Sequence, residues 1–192
     1  CSGYLHVDQT LAAGGGGGDG TSTNVVSDEQ GVSDGIYHGG PTGPHDGPVG
    51  TAVYFDGSND YVEIPHNDNM LLNSGTVSIW VKPTSNCGEK AFFSKDSTSY
   101  DTGGHLTMWV WDNKITVRLQ STNTSYWVES SDITTNNWYH VVFSWGDGGM
   151  KLFVNGQLED THEYAGGLGT NSGGNGNYEP IVLGANSWDS NN

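Results

Sequence analysis

The chain has 192 residues, with 22 acidic side chains against only 6 lysines and arginines, and a formal net charge of −16. So few cations cannot neutralise a phosphate backbone or an anionic lipid surface, which makes nucleic acid and membranes poor partners. Apolar residues make up 33% of the sequence and aromatic residues 11%, which is enough for the core of one folded domain over residues 1–192. No apolar run approaches the roughly 20 residues that span a bilayer, so we expect no membrane-spanning segment.

The two cysteines, Cys1 and Cys87, leave three interpretations open. They can form one disulfide, which fits an exported protein. The start Cys-Ser-Gly also looks like a bacterial lipoprotein after signal cleavage, with Cys1 as the lipid-anchored residue. Alternatively, they are two unrelated thiols. The first two interpretations predict a secreted or cell-surface protein.

The first 50 residues show little regular patterning. Residues 4–8 alternate like a short strand, and the Gly-rich tract 12–24 is expected to be a mobile loop. Three prolines and several glycines then favour loops up to Gly50. The regular fold is therefore expected from residue 51 onward.

From residue 51, apolar residues alternate with a period of two between Gly, Asn and Asp turn signals. The predicted strands are 51–55, 61–64, 77–82, 91–93, 106–111, 114–120, 126–129, 138–145, 151–154 and 181–183. No window predicts an amphipathic helix, and parallel crossovers need such helices. The predicted fold class is all-β, an antiparallel sandwich of two sheets.

One hairpin can be predicted in register, with Asp112-Asn113 as a two-residue turn. Its pairs are Val110/Ile115, Met108/Val117 and Leu106/Leu119 on one face, and Trp111/Lys114, Trp109/Thr116 and Thr107/Arg118 on the other. Flat indole rings stack on the apolar face of a sugar and nearby donors bind its hydroxyls. The second face therefore predicts a glycan-binding site with Trp109, Trp111 and Arg118. Alternatively, another sheet or loop covers this face and the two tryptophans belong to the core.

Three further tryptophans are candidate ligand contacts. Trp80 alternates with aliphatic residues on its strand, and we expect it to join Trp109 and Trp111 on one sheet. Trp127 and Trp188 lie in or beside predicted loops, where a large exposed ring often marks a binding rim. Acidic polysaccharide is disfavoured by the net charge, although Arg118 could still bind a single carboxylate.

Several sequence blocks fall in the order seen in one known family. They are residues 50–65, 77–83, 93–95, 137–145, 152–156 and 181–184, preceded by a loop containing Asp and Gly over residues 27–35 and by His38-Gly-Gly. These blocks resemble the laminin-G-like, concanavalin A-like domains, especially bacterial members found beside polysaccharide-degrading enzymes, and more distantly the pentraxins. The resemblance implies a jelly-roll sandwich, often with bound calcium and a carbohydrate-binding role, although one fold hosts many functions.

The same resemblance suggests where calcium would bind. It places metal ligands in the early loop, so Asp28 and Asp34 are the first candidates, and Asp8 and Asp60 would complete the site. Calcium takes six to eight oxygen ligands, which such loops supply. Alternatively, these residues are present only because Asp tolerates turns and hydrogen-bonds its own backbone.

Members of the family usually continue past a stretch such as residues 183–188 with a last strand, whereas this sequence stops at Asn192. Either the sequence is cut before that strand, or the strand comes from elsewhere. An open sheet edge left in this way could accept a strand from a neighbouring chain, which is a route to fibres.

Two hypotheses of function follow, and neither includes catalysis. A retaining glycosidase needs two carboxyl groups about 5.5 Å apart, and no predicted strand aims two acidic side chains inward. The first hypothesis is a non-catalytic, calcium-supported carbohydrate-binding module of an exported protein, with a polysaccharide or glycan as partner. The second is a structural, adhesive or filament-forming surface protein whose sandwich is completed by strand exchange between subunits.

Overall fold

The computed structural model of the chain describes residues 2–6, 25–28, 30–86, 88, 90–97 and 102–187. Its strands are β1 (Gly3–His6), β2 (Val25–Val26), β3 (Gly35–His38), β4 (Thr42–Asp46), β5 (Thr51–Phe55), β6 (Tyr61–Ile64), β7 (Gly75–Pro83), β8 (Ala91–Lys95), β9 (His105–Trp111), β10 (Lys114–Gln120), β11 (Ser125–Asp132), β12 (Tyr139–Trp145), β13 (Met150–Val154), β14 (Gln157–His162) and β15 (Ile181–Leu183). Two 3-10 turns, Asp68–Met70 and Thr170–Ser172, lie between strands. No helix in these ranges has the length and apolar character needed to cross a bilayer.

The strands form two antiparallel sheets. The seven-stranded sheet has the order β14-β13-β12-β7-β1-β5-β4, and the eight-stranded sheet has the order β11-β10-β9-β8-β15-β6-β3-β2. Their inner faces share one buried apolar cluster, to which the first sheet contributes Val81 and Phe143 and the second contributes Met108 and Val117. Burial of this apolar surface is the main stabilising contribution. The predicted fold class, an antiparallel two-sheet jelly-roll sandwich, is confirmed.

All ten strands predicted after residue 50 are present. The expectation that residues 25–50 contain only loops is wrong, because β2, β3 and β4 lie there. β4 contains Pro44 and lies at a sheet edge, where a residue without an N–H is tolerated. The acidic β14, which is not among the predicted strands, is also an edge strand. It lacks the clear apolar alternation from which strands are predicted.

The predicted hairpin between β9 and β10 has the expected register, with Val110 opposite Ile115 and Thr107 opposite Arg118. Asp112 and Asn113 have φ angles of 47° and 61°. A tight turn of this kind needs a left-handed backbone at both central residues, which Asp and Asn adopt more readily than most residues. The turn chemistry therefore determines which side chains of this hairpin face outward.

The N-terminal strand β1 lies inside the seven-stranded sheet and not at its edge. Leu5 lies opposite Val53 of β5 and Val81 of β7, in two antiparallel ladders. Within the described ranges, β5 and β7 are joined only through β1. β15, the last described strand, is paired on both sides, with β6 and with β8. Strand exchange between chains stays a prediction.

Several predicted features lie outside the described residues. These are Cys1, Cys87, Asp8, Trp188 and the tract 12–24. The disulfide, the lipid anchor, the mobile loop and the ligand roles of Asp8 and Trp188 therefore stay predictions.

Candidate functional site

A cleft of about 140 Å³ lies on the outer face of the eight-stranded sheet, over β9 and β10. Side chains alternate along a strand, so Leu106, Met108 and Val110 point into the core while the residues between them point outward. The cleft is lined by Asp96, Thr107, Trp109, Trp111, Arg118, Trp127 and Asn186. The structure thus brings together three predicted tryptophans and the predicted arginine.

The three indole rings of the cleft have different exposures. Trp109 is 5% exposed, whereas Trp111 and Trp127 are 45% and 44% exposed. The rings of Trp109 and Trp127 meet edge to face, with centroids 5.5 Å apart and an interplanar angle of 82°. The indole N–H of Trp109 is buried and has no hydrogen-bond partner within the part of the chain that the structure describes. Trp109 therefore forms a floor with a spare donor, and the other two rings expose apolar surface.

Arg118 lies against this aromatic floor. Its guanidinium carbon is 5.7 Å from the ring centroid of Trp109 and 6.0 Å from that of Trp127, within the range of cation–π attraction. Its Nη2 donates to the carboxylate of Asp96 and, at 3.2 Å, to the hydroxyl oxygen of Thr107. Ring contacts and hydrogen bonds together hold the arginine in one orientation.

Asp96, which directly follows β8, anchors the polar part of the cleft. Its carboxylate is 1% exposed and accepts hydrogen bonds from the hydroxyl of Thr107 and the backbone N–H of Ser97, both at 2.9 Å. The Nδ1 atom of His105 lies 3.2 Å from the same carboxylate. A buried carboxylate is tolerated only when several partners compensate for its lost hydration. This network therefore fixes the orientation of Arg118.

The segment after β15 forms one wall of the cleft. The backbone N–H of Ser187 donates to the hydroxyl of Ser94 at 3.0 Å, and the Ser187 hydroxyl donates to the carbonyl oxygen of Asp96 at 2.8 Å. These bonds tie the segment to the end of β8 and bring Asn186 to the cleft.

Asp96 and Asn186 are not among the residues predicted from sequence. Asp96 lies 22 positions from Arg118, and a single Asp after a strand is typical of an ordinary turn. One signal could have found it: an outward-facing arginine on a central strand needs a counter-charge from a neighbouring strand. The sequence does not say which strand supplies it.

Trp80 does not join the cleft. It lies on β7 in the seven-stranded sheet, and its ring stacks on His140 with centroids 4.9 Å apart. The expectation that Trp80 shares a sheet with Trp109 and Trp111 is therefore wrong. Alternation along a strand identifies the outward face of that strand, but not the sheet to which the strand belongs.

Two predicted calcium ligands, Asp28 and Asp34, occur together in the turn before β3. The carboxylate of Asp34 accepts the backbone N–H of Asp28 at 2.8 Å, and the carboxylate of Asp28 accepts the N–H groups of Val32 and Ser33 at 3.0 and 3.2 Å. Backbone hydrogen bonds, chiefly from Val32, lower the pKa of Asp28 below its usual value. Both carboxylates therefore stabilise this turn by binding its backbone.

Asp60 is engaged separately, between β5 and β6. Its two carboxylate oxygens accept the backbone N–H groups of Gly40 and Asp56 at 2.8 and 3.0 Å. The described ranges contain no group of three or more His, Cys, Asp or Glu residues that could hold a metal ion. Calcium binding by Asp28, Asp34, Asp60 and Asp8 stays a prediction.

The antiparallel two-sheet jelly roll occurs in lectin domains and also hosts other functions. The sequence matches the family described as the concanavalin A-like lectin/glucanases superfamily over residues 56–192, and the chain belongs to this family. The resemblance given by the sequence blocks is thereby confirmed. A search of curated protein sequences gave no match.

Solved structures share the fold. Domain 4 of AbnA, a GH43 extracellular arabinanase from Geobacillus stearothermophilus, in complex with arabinotriose, is 24% identical with a TM-score of 0.64, covering 86% of this chain and 81% of that chain. The binding domain of botulinum neurotoxin serotype D is 17% identical with a TM-score of 0.60, covering 84% and 42%. The binding domain of botulinum neurotoxin DC in complex with SialylT is 16% identical with a TM-score of 0.54, covering 83% and 42%. At these identities the likeness shows the fold alone.

Proposed function

We propose that this protein is a non-catalytic carbohydrate-binding module of an exported or cell-surface protein, and that it binds a polysaccharide or glycan in the cleft. The observation that carries the proposal is the position of two half-exposed rings, Trp111 and Trp127, beside the buried polar side chains of the same cleft. Stacking of a sugar on such rings gives affinity, and fixed donors give orientation. Membership of a lectin-containing superfamily and the arabinotriose complex of AbnA domain 4 support the ligand class.

The acidic residues of the cleft support a non-catalytic role. Asp96 is the one carboxylate among its described lining residues, and it is paired with Arg118 and buried. Glycoside hydrolysis uses two carboxyl groups that face the scissile bond, one of them as a proton donor. In the part of the chain that the structure describes, no second carboxylate lines the cleft opposite Asp96, and Asp96 lacks the solvent access that proton exchange needs. The cleft is thus suited to holding a sugar without cleaving it.

Replacing both exposed rings tests the proposal. We expect Trp111→Ala/Trp127→Ala to weaken polysaccharide binding about tenfold or more, because each ring contact contributes about 0.5–1.5 kcal/mol beyond the apolar area that it buries. Affinity gel electrophoresis against a panel of soluble polysaccharides, arabinan included, measures the change. Trp80→Ala is the matched control, because that ring lies on the other sheet, and its retention should equal that of the parent. Unchanged retention of the double variant would remove the cleft from the binding site.

We also propose that a calcium ion supports the domain through Asp28 and Asp34, with Asp8 and Asp60 as further ligands. Two carboxylates in one turn and the family membership support this assignment. A metal that binds only the native state stabilises it by about 2.7 kcal/mol at a hundred times its dissociation constant.

Removal of calcium should therefore lower the Tm by about 5–10 °C for a domain of this size. Thermal unfolding with calcium and with excess EDTA measures the difference. Asp34→Asn should abolish the EDTA effect. Asp56→Asn should keep it, since the Asp56 carboxylate only closes a separate turn by accepting the N–H of Ser58. An identical Tm with and without calcium rejects the site.

A second candidate function, self-association by strand exchange, is favoured by the position of β1. This four-residue strand is the link between β5 and β7, and residues 7–24 separate it from β2. Eighteen residues can extend up to about 60 Å, so the same segment could reach a second copy. β5 and β7 offer the same hydrogen bonds to the β1 of their own chain and to the β1 of a second copy.

Strand exchange predicts that the dimer fraction rises with protein concentration. Size-exclusion chromatography with light scattering at about 10 µM and 1 mM measures it. Mixing two differently labelled preparations should give mixed dimers, since exchange re-pairs β1. A single monomeric species at both concentrations contradicts this second function and leaves the glycan-binding proposal unaffected.

A further inference from the structure

We infer that the cleft selects neutral sugars and rejects sugars that carry a carboxylate, such as uronic acids. The inference rests on the proposed glycan-binding function and adds the ligand class. It follows from the way in which Asp96 already occupies Arg118, the one cation among the described lining residues.

The hydrogen-bonding capacity of Arg118 is the first argument. A guanidinium binds a carboxylate best through two parallel N–H groups, either Nε with Nη2 or Nη1 with Nη2. Nη2 belongs to both of these faces, and it is held by the Asp96 carboxylate and by the Thr107 hydroxyl. Neither bidentate face is therefore open to a carboxylate on a ligand, and Arg118 does not act as a carboxylate clamp.

The charge of the cleft is the second argument. Arg118 and Asp96 compensate each other, and the buried Asp96 carboxylate is part of the lining of the cleft. A ligand carboxylate in that space would meet a like charge in a poorly hydrated site without gaining an unpaired cation. The formal charge of −16 on the whole chain adds a long-range repulsion against acidic polymers.

The remaining polar atoms suit hydroxyl groups. The N–H of the Trp109 indole and the Nε–H of Arg118 are buried without a partner among the described residues. Both are donors, and a sugar hydroxyl can accept from them without the cost of desolvating a charge, a cost that a carboxylate would bring. A cleft of about 140 Å³ is also smaller than the roughly 300–1,000 Å³ of pockets that enclose drug-sized ligands.

One polysaccharide in three chemical forms tests the inference. The first probe is a neutral polysaccharide that is retained in the gel assay. The second is the same polymer with its primary hydroxyls oxidised to carboxylates, and the third is the methyl ester of the oxidised polymer. We expect oxidation to weaken binding at least tenfold and esterification to restore most of it, because the ester keeps the size of the group and removes the charge. Binding of the neutral form should change less than twofold between 20 mM and 500 mM NaCl, since no ligand charge is screened.

Asp96→Asn gives the converse result. The variant lacks the negative charge of Asp96. Its affinity for the oxidised polymer, divided by its affinity for the neutral polymer, should therefore be higher than the same ratio for the parent. If the variant does not fold, the three-form comparison and the salt series on the parent protein still test the inference.

Equal or tighter binding of the oxidised form by the parent would overturn the inference and leave the glycan-binding function standing. Failure of every polysaccharide to bind in any form would overturn both.

Discussion

Asp96→Ala is expected to lower the free energy of unfolding by about 3–5 kcal/mol and to abolish glycan retention. The substitution removes one partner of a buried ion pair, and the uncompensated partner accounts for most of such a loss. Arg118 would keep its ring contacts with Trp109 and Trp127 but lose its charge partner. Thr107 would lose the acceptor of its hydroxyl as well.

A double variant separates the loss of the ion pair from the loss of packing. Asp96→Ala/Arg118→Met removes both charges and keeps an unbranched side chain over the rings, so we expect it to recover a large part of the lost stability. Urea denaturation of the parent, the two single variants and the double variant gives the coupling energy. Glycan retention should stay absent in the double variant, because the fixed donors are gone. Unfolding midpoints that coincide for Asp96→Ala and the parent would contradict the role of Asp96 as anchor.

The contrast between Arg118 and Asp96 shows how far sequence reasoning reaches in this fold. Trp109, Trp111 and Arg118 were predictable as one face because a single tight turn sets the register of the strands that carry them. Asp96 and Asn186 reach the same cleft through the pairing of β8 with β9 and with β15. Those pairings join segments distant in sequence, and no local pattern encodes them.

Some strands could likewise be predicted from the sequence and others could not. Strands with alternating apolar residues were predictable because one face of each is buried. The edge strands β4 and β14 were not, since an edge tolerates a proline or a row of acidic side chains. Trp80 shows the remaining limit: its outward orientation was predictable, and its sheet was not.

The buried side chain of Lys95 is expected to make the free energy of unfolding strongly dependent on pH. This lysine at the end of β8 is fully buried. Its ammonium group donates to Nδ1 of His66 at 3.1 Å and to the carbonyl oxygen of Glu179. Burial lowers the pKa of Lys95 from 10.5 to about 8. Between these two pH values the unfolded chain binds a proton that the native protein does not, so stability must rise with pH across this window.

The size of this effect follows from the shift. A change from 10.5 to about 8 corresponds to roughly 3 kcal/mol at 1.36 kcal/mol per unit. Most of this rise in the free energy of unfolding, about 2.4 kcal/mol, should fall between pH 7.5 and pH 10. Above pH 10 the gain should be offset, because burial raises the pKa of Tyr164 to about 12 and the unfolded chain loses that phenolic proton first.

Lys95→Met isolates the contribution of Lys95. Methionine keeps the unbranched shape without a titratable group, so the stability of the parent relative to the variant should increase steadily between pH 8 and pH 10. Urea denaturation at half-unit pH intervals measures both curves. Lys151→Met is the matched control, because Lys151 is exposed on β13 and its loss should leave the slope of the parent intact. Parallel curves for the parent and Lys95→Met would show that the buried lysine keeps its proton, with the charge fully compensated by its partners.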